Sequence, residues 1–256
     1  MRDKTALVTG AAGGIGEAVV RALAAEGIAV AAVDANAEAL NTLVKELAEA
    51  GHRVQGFVAD VASSAEVDAM VERAELDLGP IDYLVNAAGV LRVGAGASLS
   101  DDDWDTTFAV NATGVFHVSR AVANRMIPRG SGAIVTLASN AARTPRWNMA
   151  AYAASKAAAS SFTKCLGLEL AKHGIRCNVV APGSTDTPML TSLWNGDDAL
   201  RISIEGAPET FRVGIPMGRL ARPADVADAV LFLLSDRAAH ITLQDLTVDG
   251  GAALGN

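Results

Sequence analysis

Tyr152 and Lys156 stand four residues apart in "AAYAASKAA" (150–158). On a helix that spacing stacks the two side chains on one face. A phenol beside an ammonium group is a proton-transfer pair. Tyrosine ordinarily titrates near 10, too high for a good base at neutral pH, and a neighbouring cation favours the phenolate. Nearly every other side chain in the stretch is small. That bareness has two readings: close helix packing through alanines with a surface lysine, or room left for a flat ligand. Ser139 ends the apolar run "GAIVTLAS" (132–139) just upstream and could hold a substrate oxygen in the same cleft.

A second group of residues has the chemistry of a phosphate cradle. "TGAAGGIG" (9–16) follows the apolar run "TALVTG" and opens an apolar helix. Gly10 suits the tight turn, while Gly14 and Gly16 let a helix start close to a pyrophosphate and pack close to a sheet. Free amides and a partial positive charge lie at that helix start. The spacing departs from G-x-G-x-x-G. The lysine and Ser/Thr that a nucleotide-triphosphate loop places after its glycines are absent. Asp34 ends the next apolar run, where an acid accepts from an adenosine ribose and repels a 2′-phosphate, which favours NAD over NADP. Capping the turn before Asn36 is the other reading of Asp34. Asp60 could reach an adenine amino group or cap a helix. Asn86, Ala87 and Gly89 in "NAAG" close a further run with small residues that allow close backbone approach.

The elements that must position these residues alternate along the chain. Strands are expected at 5–10, 28–34, 53–60, 81–89, 132–139, 175–183 and 241–251. Helices are expected at 14–26, 37–50, from "SSAEV" with Ser63 or Ser64 as cap, at 101–127 with a junction near Asn111, and at 149–173. The strands are continuous apolar runs rather than alternating ones, so both sheet faces must be covered, as in a parallel sheet sandwiched by helices. Residues 1–256 read as one α/β domain, a doubly wound Rossmann-like fold. The segment at about 184–222, with Trp194 and a turn at Gly196, is long for a compact domain and sits at the ligand-binding edge of the sheet, as a cover for substrate would.

Net charge is −8, from 21 basic and 29 acidic residues, with no basic block, which argues against nucleic acid. Aromatic residues are 4% of the chain, so the core must be small and aliphatic. Two cysteines, Cys165 and Cys177, make no disulfide framework and read as buried thiols. The four histidines are scattered, and no metal site is expected. The chain begins without a signal-peptide pattern or membrane span, so a cytoplasmic protein is expected.

Taken together, "TGAAGGIG", "NAAG", Asn111 in "NATG", Ser139, "YAASK" and "PG" at 182–183 resemble the short-chain dehydrogenase/reductase family over the full length. The resemblance implies seven strands in the order 3-2-1-4-5-6-7, an NAD-type cofactor and, commonly, a homotetramer. It assigns acid–base work to Ser139, Tyr152 and Lys156 and a water in a proton relay to Asn111. It places Ile15, Val61, Pro182, Gly183 and Thr185 around the cofactor, with Tyr152 and Lys156 also touching it.

Within that family, "PRWNMAAYAASKAA", "RCNVVAPGSTDTPM" and "HITLQDLTVDGGAALG" are similar to the 2,3-dihydro-2,3-dihydroxybenzoate dehydrogenases of catechol siderophore pathways. This implies oxidation of the ring carbon 3 hydroxyl of a small anionic cyclohexadiene acid. Three rivals stand beside it: the same oxidation on 2,3-dihydro-3-hydroxyanthranilate, an acyl-ketone reductase, and a cofactor-binding scaffold without activity. Asp34 argues against the reductase, and the presence of Tyr152 and Lys156 argues against the scaffold. The substrate carboxylate needs a cation, and an arginine fork suits it. Arg146 is favoured over Arg143 because it lies closer to the Tyr152 helix, although either also fits a solvent or subunit face. Met149, Met189 and Trp194 could wall the ring or simply pack. Gln244 could reach the cleft or a neighbouring subunit.

Overall fold

A computed structural model describes residues 3–194 and 198–255, and the expected turn at Gly196 lies outside them. Seven parallel strands form one sheet: β1 Thr5–Thr9, β2 Ala29–Asp34, β3 Val54–Val58, β4 Tyr83–Asn86, β5 Gly132–Leu137, β6 Ile175–Pro182 and, last in the chain, Asp245–Val248. The two-residue strands β7 (Gly206–Ala207) and β8 (Arg212–Val213) pair antiparallel between them, so the last sheet strand is β9. The sheet order is β3-β2-β1-β4-β5-β6-β9, the expected doubly wound order with β9 as the seventh strand.

The central strands β1 and β4 are buried at every position. This is why they read as unbroken apolar runs: helices cover both faces. One face packs α1 (Gly14–Ala25) and α2 (Ala37–Glu49) with α9 (Pro223–Leu234), through side chains such as Val20, Leu40 and Val230. The other packs α3 (Ser64–Leu78) and α5 (Val115–Met126) through Val67, Met70 and Val122, and α6 (Ala150–Leu170) lies along β6. Ser63, not Ser64 or Asp60, caps α3, accepting from the Glu66 amide. The helix pair expected at 101–127 is α4 (Asp101–Phe108) and α5, joined by a π turn over Ala109–Gly114 that contains Asn111.

The small residues of α6 serve packing as well as space. Ser155, Ala159, Thr163 and Gly167 follow one another at four-residue steps on its buried face. Thr163 donates to Thr136 of β5 at 2.9 Å, and Ser160 donates to Asp245 of β9 at 3.1 Å. Cys177 is buried in β6 as expected. Cys165 is exposed, because it falls on the outer face of α6 together with Leu168. No helix among the described residues is long and apolar enough to cross a membrane.

Candidate active site

The strands β1, β2, β4, β5 and β6 end on one edge of the sheet, and a cleft of about 790 Å³ opens there. That size suits a small-molecule site. Gly10 makes the turn after β1 with φ +64°, and a Cβ there would stand 2.7 Å from Ala88 backbone atoms. A Cβ on Gly16 would stand 1.9 Å from the Gly10 carbonyl oxygen, so only glycine lets α1 start this close to the strand. No side chain caps the start of α1. A Cβ on Gly13 would meet nothing but the Gly10 oxygen, at 3.4 Å, and so would stand in the cleft itself. Free amides facing an open, bare-walled cleft are what a pyrophosphate requires. The site fits a dinucleotide on these observations.

Asp34 lies at the end of β2 on the cleft wall. Its carboxylate accepts from the Ala12 amide at 3.0 Å and from the Asn36 amide at 2.9 Å. It therefore does brace the turn. A carboxylate has about four lone-pair sites, so two backbone donors leave capacity for ribose hydroxyls. Asp60 also lines the cleft, with its carboxylate on the Ala62 amide at 2.9 Å. Ile15, Val61, Ala87, Gly89, Pro182, Gly183 and Thr185 line it as well.

Three expected contacts fall elsewhere. Asn86 is buried beneath the cleft, where its amide donates to Ser119 at 2.9 Å and Thr136 at 3.2 Å, so its side chain ties strands and helix together rather than facing a ligand. Arg143 turns outward to β9, to the Thr247 hydroxyl and, at 3.6 Å, to Asp245. Gln244 is exposed just before β9, and its amide reaches only its neighbour Thr242.

Tyr152 and Lys156 lie in the first two turns of α6 and both line the cleft. The Lys156 Nζ donates to the Leu137 carbonyl at 2.8 Å and lies 5.9 Å from the centre of the Tyr152 ring. Burial pushes the lysine down to about 8. Burial pushes the phenol up from its ordinary value, opposed by the hydroxyl of Ser139. In the chain alone desolvation of the phenolate dominates; the lowering expected of Tyr152 calls on Lys156 together with the positive charge of a nicotinamide ring in the cleft. Ser139, at the end of the β5 run, accepts from the Ala141 amide at 3.1 Å. That leaves its own proton to donate into the cleft.

Asn111 is fully buried in the π turn. Its Oδ1 accepts from the Val90 amide at 2.8 Å, and its Nδ2 donates to the Val90 carbonyl at 2.9 Å and to Ser155 at 3.0 Å. It locks the loop after β4 to α6, so in this structure it positions its neighbours. A π turn widens the helix locally, and such turns recur at functional sites.

The substrate end of the cleft is walled by Met149, Met189 and Trp194, together with Arg146, Leu91 and Ile202. Arg146 is half-buried, and among the described residues its guanidinium makes one hydrogen bond, 3.5 Å long, to the Ala252 carbonyl. Two contributors are absent from the sequence reading. Arg212 enters the wall from β8. Asp249 accepts from Asn140 at 3.0 Å and from the Gly251 and Ala253 amides at 2.9 and 2.8 Å, which fixes the turn that brings Ala252 to the cleft. Asn140 beside Ser139 could have pointed to a partner, but nothing in the sequence marks Asp249 as that partner.

The buried lysine predicts a pH effect on stability. Between about 8 and 10.5 the unfolded chain holds a proton that folded Lys156 has released, so stability rises with pH across that window. Wild type is expected to gain about 1 kcal/mol on Lys156→Met between about pH 7 and 9. Urea unfolding of both proteins at the two pH values reads the difference, and a constant gap would show that the lysine titrates normally.

The short chain dehydrogenase profile matches residues 4–198. A 2,3-dihydro-2,3-dihydroxybenzoate dehydrogenase of Bacillus subtilis (strain 168) is 57% identical over 255 residues, covering 100% of this chain and 98% of that one. An actinorhodin polyketide ketoreductase solved with NADPH superposes with a TM-score of 0.91 at 39% identity, over 99% of both chains. A 3-ketoacyl-(acyl-carrier-protein) reductase from Brucella melitensis complexed with NADH gives 0.89 at 34% identity, over 98% of this chain and 99% of that one. This chain belongs to the short-chain dehydrogenase family and is an NAD(P)-dependent oxidoreductase.

Proposed function

We propose that the chain uses NAD to oxidise the carbon 3 hydroxyl of 2,3-dihydro-2,3-dihydroxybenzoate, giving 2,3-dihydroxybenzoate. The observation that carries the reading is Arg146. It is a half-buried guanidinium in the cleft wall with no acidic partner at ion-pair distance among the described residues, in a chain 57% identical to a relative bearing that name. A buried carboxylate requires such a partner, and the fork also sets its angle.

In the proposed mechanism Ser139 donates to the substrate oxygen and Tyr152 takes its proton. Lys156, beside the phenol, supplies positive charge. A dinucleotide held by the Gly10–Gly16 turn and Asp34 would supply hydride acceptance from carbon 3 and a ring charge that favours the phenolate. Enolisation of the resulting dienone, in which carbon 2 loses a proton and the carbon 3 oxygen gains one, then completes the aromatic ring. The chain contributes orientation, and the hydride chemistry is the cofactor's. Asn111 positions Val90 and α6 for this arrangement. The segment at about 184–222 covers the substrate, and 1–256 acts as one cofactor-binding and catalytic domain. A homotetramer is proposed as well, supported by exposed apolar side chains on α5 and α6, Phe116 and Leu168.

The acids lining the cleft among the described residues are Asp34 and Asp60, both at the cofactor end. Asp249, whose charge reaches Arg146, does not line the cleft and already accepts from Asn140 and the Gly251 and Ala253 amides, so among the described residues no uncommitted carboxylate is offered there to an ammonium on carbon 2. A hydroxyl there is favoured over the amine of 2,3-dihydro-3-hydroxyanthranilate, and parallel rates on the two acids test this. Faster turnover of the amine would overturn the choice.

The cofactor choice rests on Asp34. Closely similar folds hold NADPH in one relative and NADH in another, so the residue at the end of β2 must decide. NAD is expected to exceed NADP by at least about tenfold in kcat/KM, or ~1.4 kcal/mol. Equal efficiencies would remove Asp34 from this role.

A further inference from the structure

Two guanidinium groups face the same end of the cleft. Arg146 comes from the segment between β5 and α6, on the fixed wall. Arg212 comes from β8, in the covering segment, whose hairpin turns at Phe211 with φ +53°. The Arg212 Nη2 donates to the Ser184 hydroxyl at 2.9 Å and, more weakly, to the Ser203 carbonyl at 3.5 Å. Both partners are neutral. Among the described residues neither arginine has an acid at ion-pair distance, although the neighbouring Arg201, Arg219 and Arg222 all do. Burial holds both guanidinium groups below their ordinary value; the charge of Asp249 partly opposes this at Arg146, while Arg212 is lowered further by the like charge of Arg146. Two half-buried like charges facing each other are costly unless an anion comes between them.

We propose that Arg212 is the second arm of a carboxylate clamp, so that the acid group of the substrate is gripped between Arg146 on the fixed wall and Arg212 on the covering segment. This rests on the substrate reading above and extends it. Charge-assisted bonds to planar guanidinium forks suit a carboxylate, and a neutral amide cannot replace it. The clamp also links recognition to coverage. Arg212 already bridges the end of β6, through Ser184, to α8 (Ala199–Glu205), through Ser203, so an anion on it joins the covering segment to the opposite wall.

The test is calorimetric titration of 2,3-dihydroxybenzoate and 2,3-dihydroxybenzamide into wild type, Arg212→Gln, Arg212→Lys, Arg146→Gln and the Arg146→Gln/Arg212→Gln pair. Arg212→Gln is expected to lose about tenfold of the preference for acid over amide, the lower range for a charged hydrogen bond. Arg212→Lys should fall between, because it restores charge without the fork. The double variant should lose less than the sum of the singles, since both arms share one partner. Unliganded Arg212→Gln should melt no lower than wild type, because it relieves the repulsion. A structural brace predicts the reverse: a lower melting temperature and equal losses for acid and amide, which would overturn the clamp. Oxidation of the dihydrodiol acid by wild type, with an unchanged acid preference in Arg212→Gln, would overturn the clamp and leave the substrate reading standing. Failure to oxidise that acid, with a preference for 2,3-dihydroxybenzoate that needs Arg212, would support the clamp and overturn the substrate reading.

Discussion

Tyr152→Phe is expected to fold and bind cofactor normally while losing about 10²- to 10⁴-fold of its turnover, the usual contribution of a general acid–base group. The ring stays, so the packing of α6 over the cleft stays. What leaves is the oxygen that faces Ser139 and receives the substrate proton. Burial alone holds the Tyr152 phenol above its ordinary value. Its use as a base therefore depends on charge that arrives with the cofactor and on Lys156, whose Nζ is tied to the Leu137 carbonyl at 2.8 Å. Circular dichroism checks the fold, fluorescence titration checks cofactor binding, and single-turnover rates check the chemistry. Near-normal turnover in a folded variant would remove Tyr152 from the mechanism.

The second large effect is on substrate choice. Arg146→Ala is expected to slow oxidation of the cyclohexadiene acid by roughly 10- to 150-fold in kcat/KM, the value of a charged hydrogen bond of ~1.5 to 3 kcal/mol. The carboxamide of the same diol should be slowed much less. Arg146→Lys should show an intermediate defect, since an ammonium restores charge but not the bidentate fork. The residue lies between the strand that leads to Ser139 and the helix that carries Tyr152, so a carboxylate held there presents carbon 3 rather than carbon 2 to the reacting groups. Equal slowing of acid and amide would make Arg146 a structural residue.

The strands and the place of Tyr152, Lys156, Ser139 and Asp34 were legible in the residues, because each hangs on an element with a strong local signal; the order of the strands in the sheet came from the family resemblance. Buried parallel strands are unbroken apolar runs, and the residue that ends each run must lie on the ligand-binding edge. The covering segment was legible only as a long connection. Its helices α7 (Pro188–Thr191) and α8 and its two-residue strands are too short to carry a period. α9 went unread even though its apolar positions pack the core beside α1. Arg212 could not be told from Arg201, Arg219 and Arg222. All four are arginines in a polar stretch; the other three have acids three to six residues away along the chain, but the place of Arg212 on the cleft wall is set by tertiary structure alone. Of the alternatives for Arg143 and Gln244 the cleft is the one that fails, because closeness along the chain to the catalytic helix or to an odd strand does not fix which way a side chain turns. Asn86 failed as a side-chain contact, because Ser119 and Thr136 claim its amide, while Ala87 and Gly89 beside it line the cleft.

The central claim is that hydride leaves carbon 3 of the dihydrodiol acid for NAD. The direct measurement is single-turnover reaction of the purified protein with NAD and 2,3-dihydro-2,3-dihydroxybenzoate deuterated at carbon 3, with label located by mass spectrometry. The account predicts one deuterated NADH per molecule of unlabelled 2,3-dihydroxybenzoate, and slower hydride transfer than with the unlabelled acid. Unlabelled NADH with the deuterium released to water, the result if hydride left carbon 2, or no reduction of NAD at all, would contradict it.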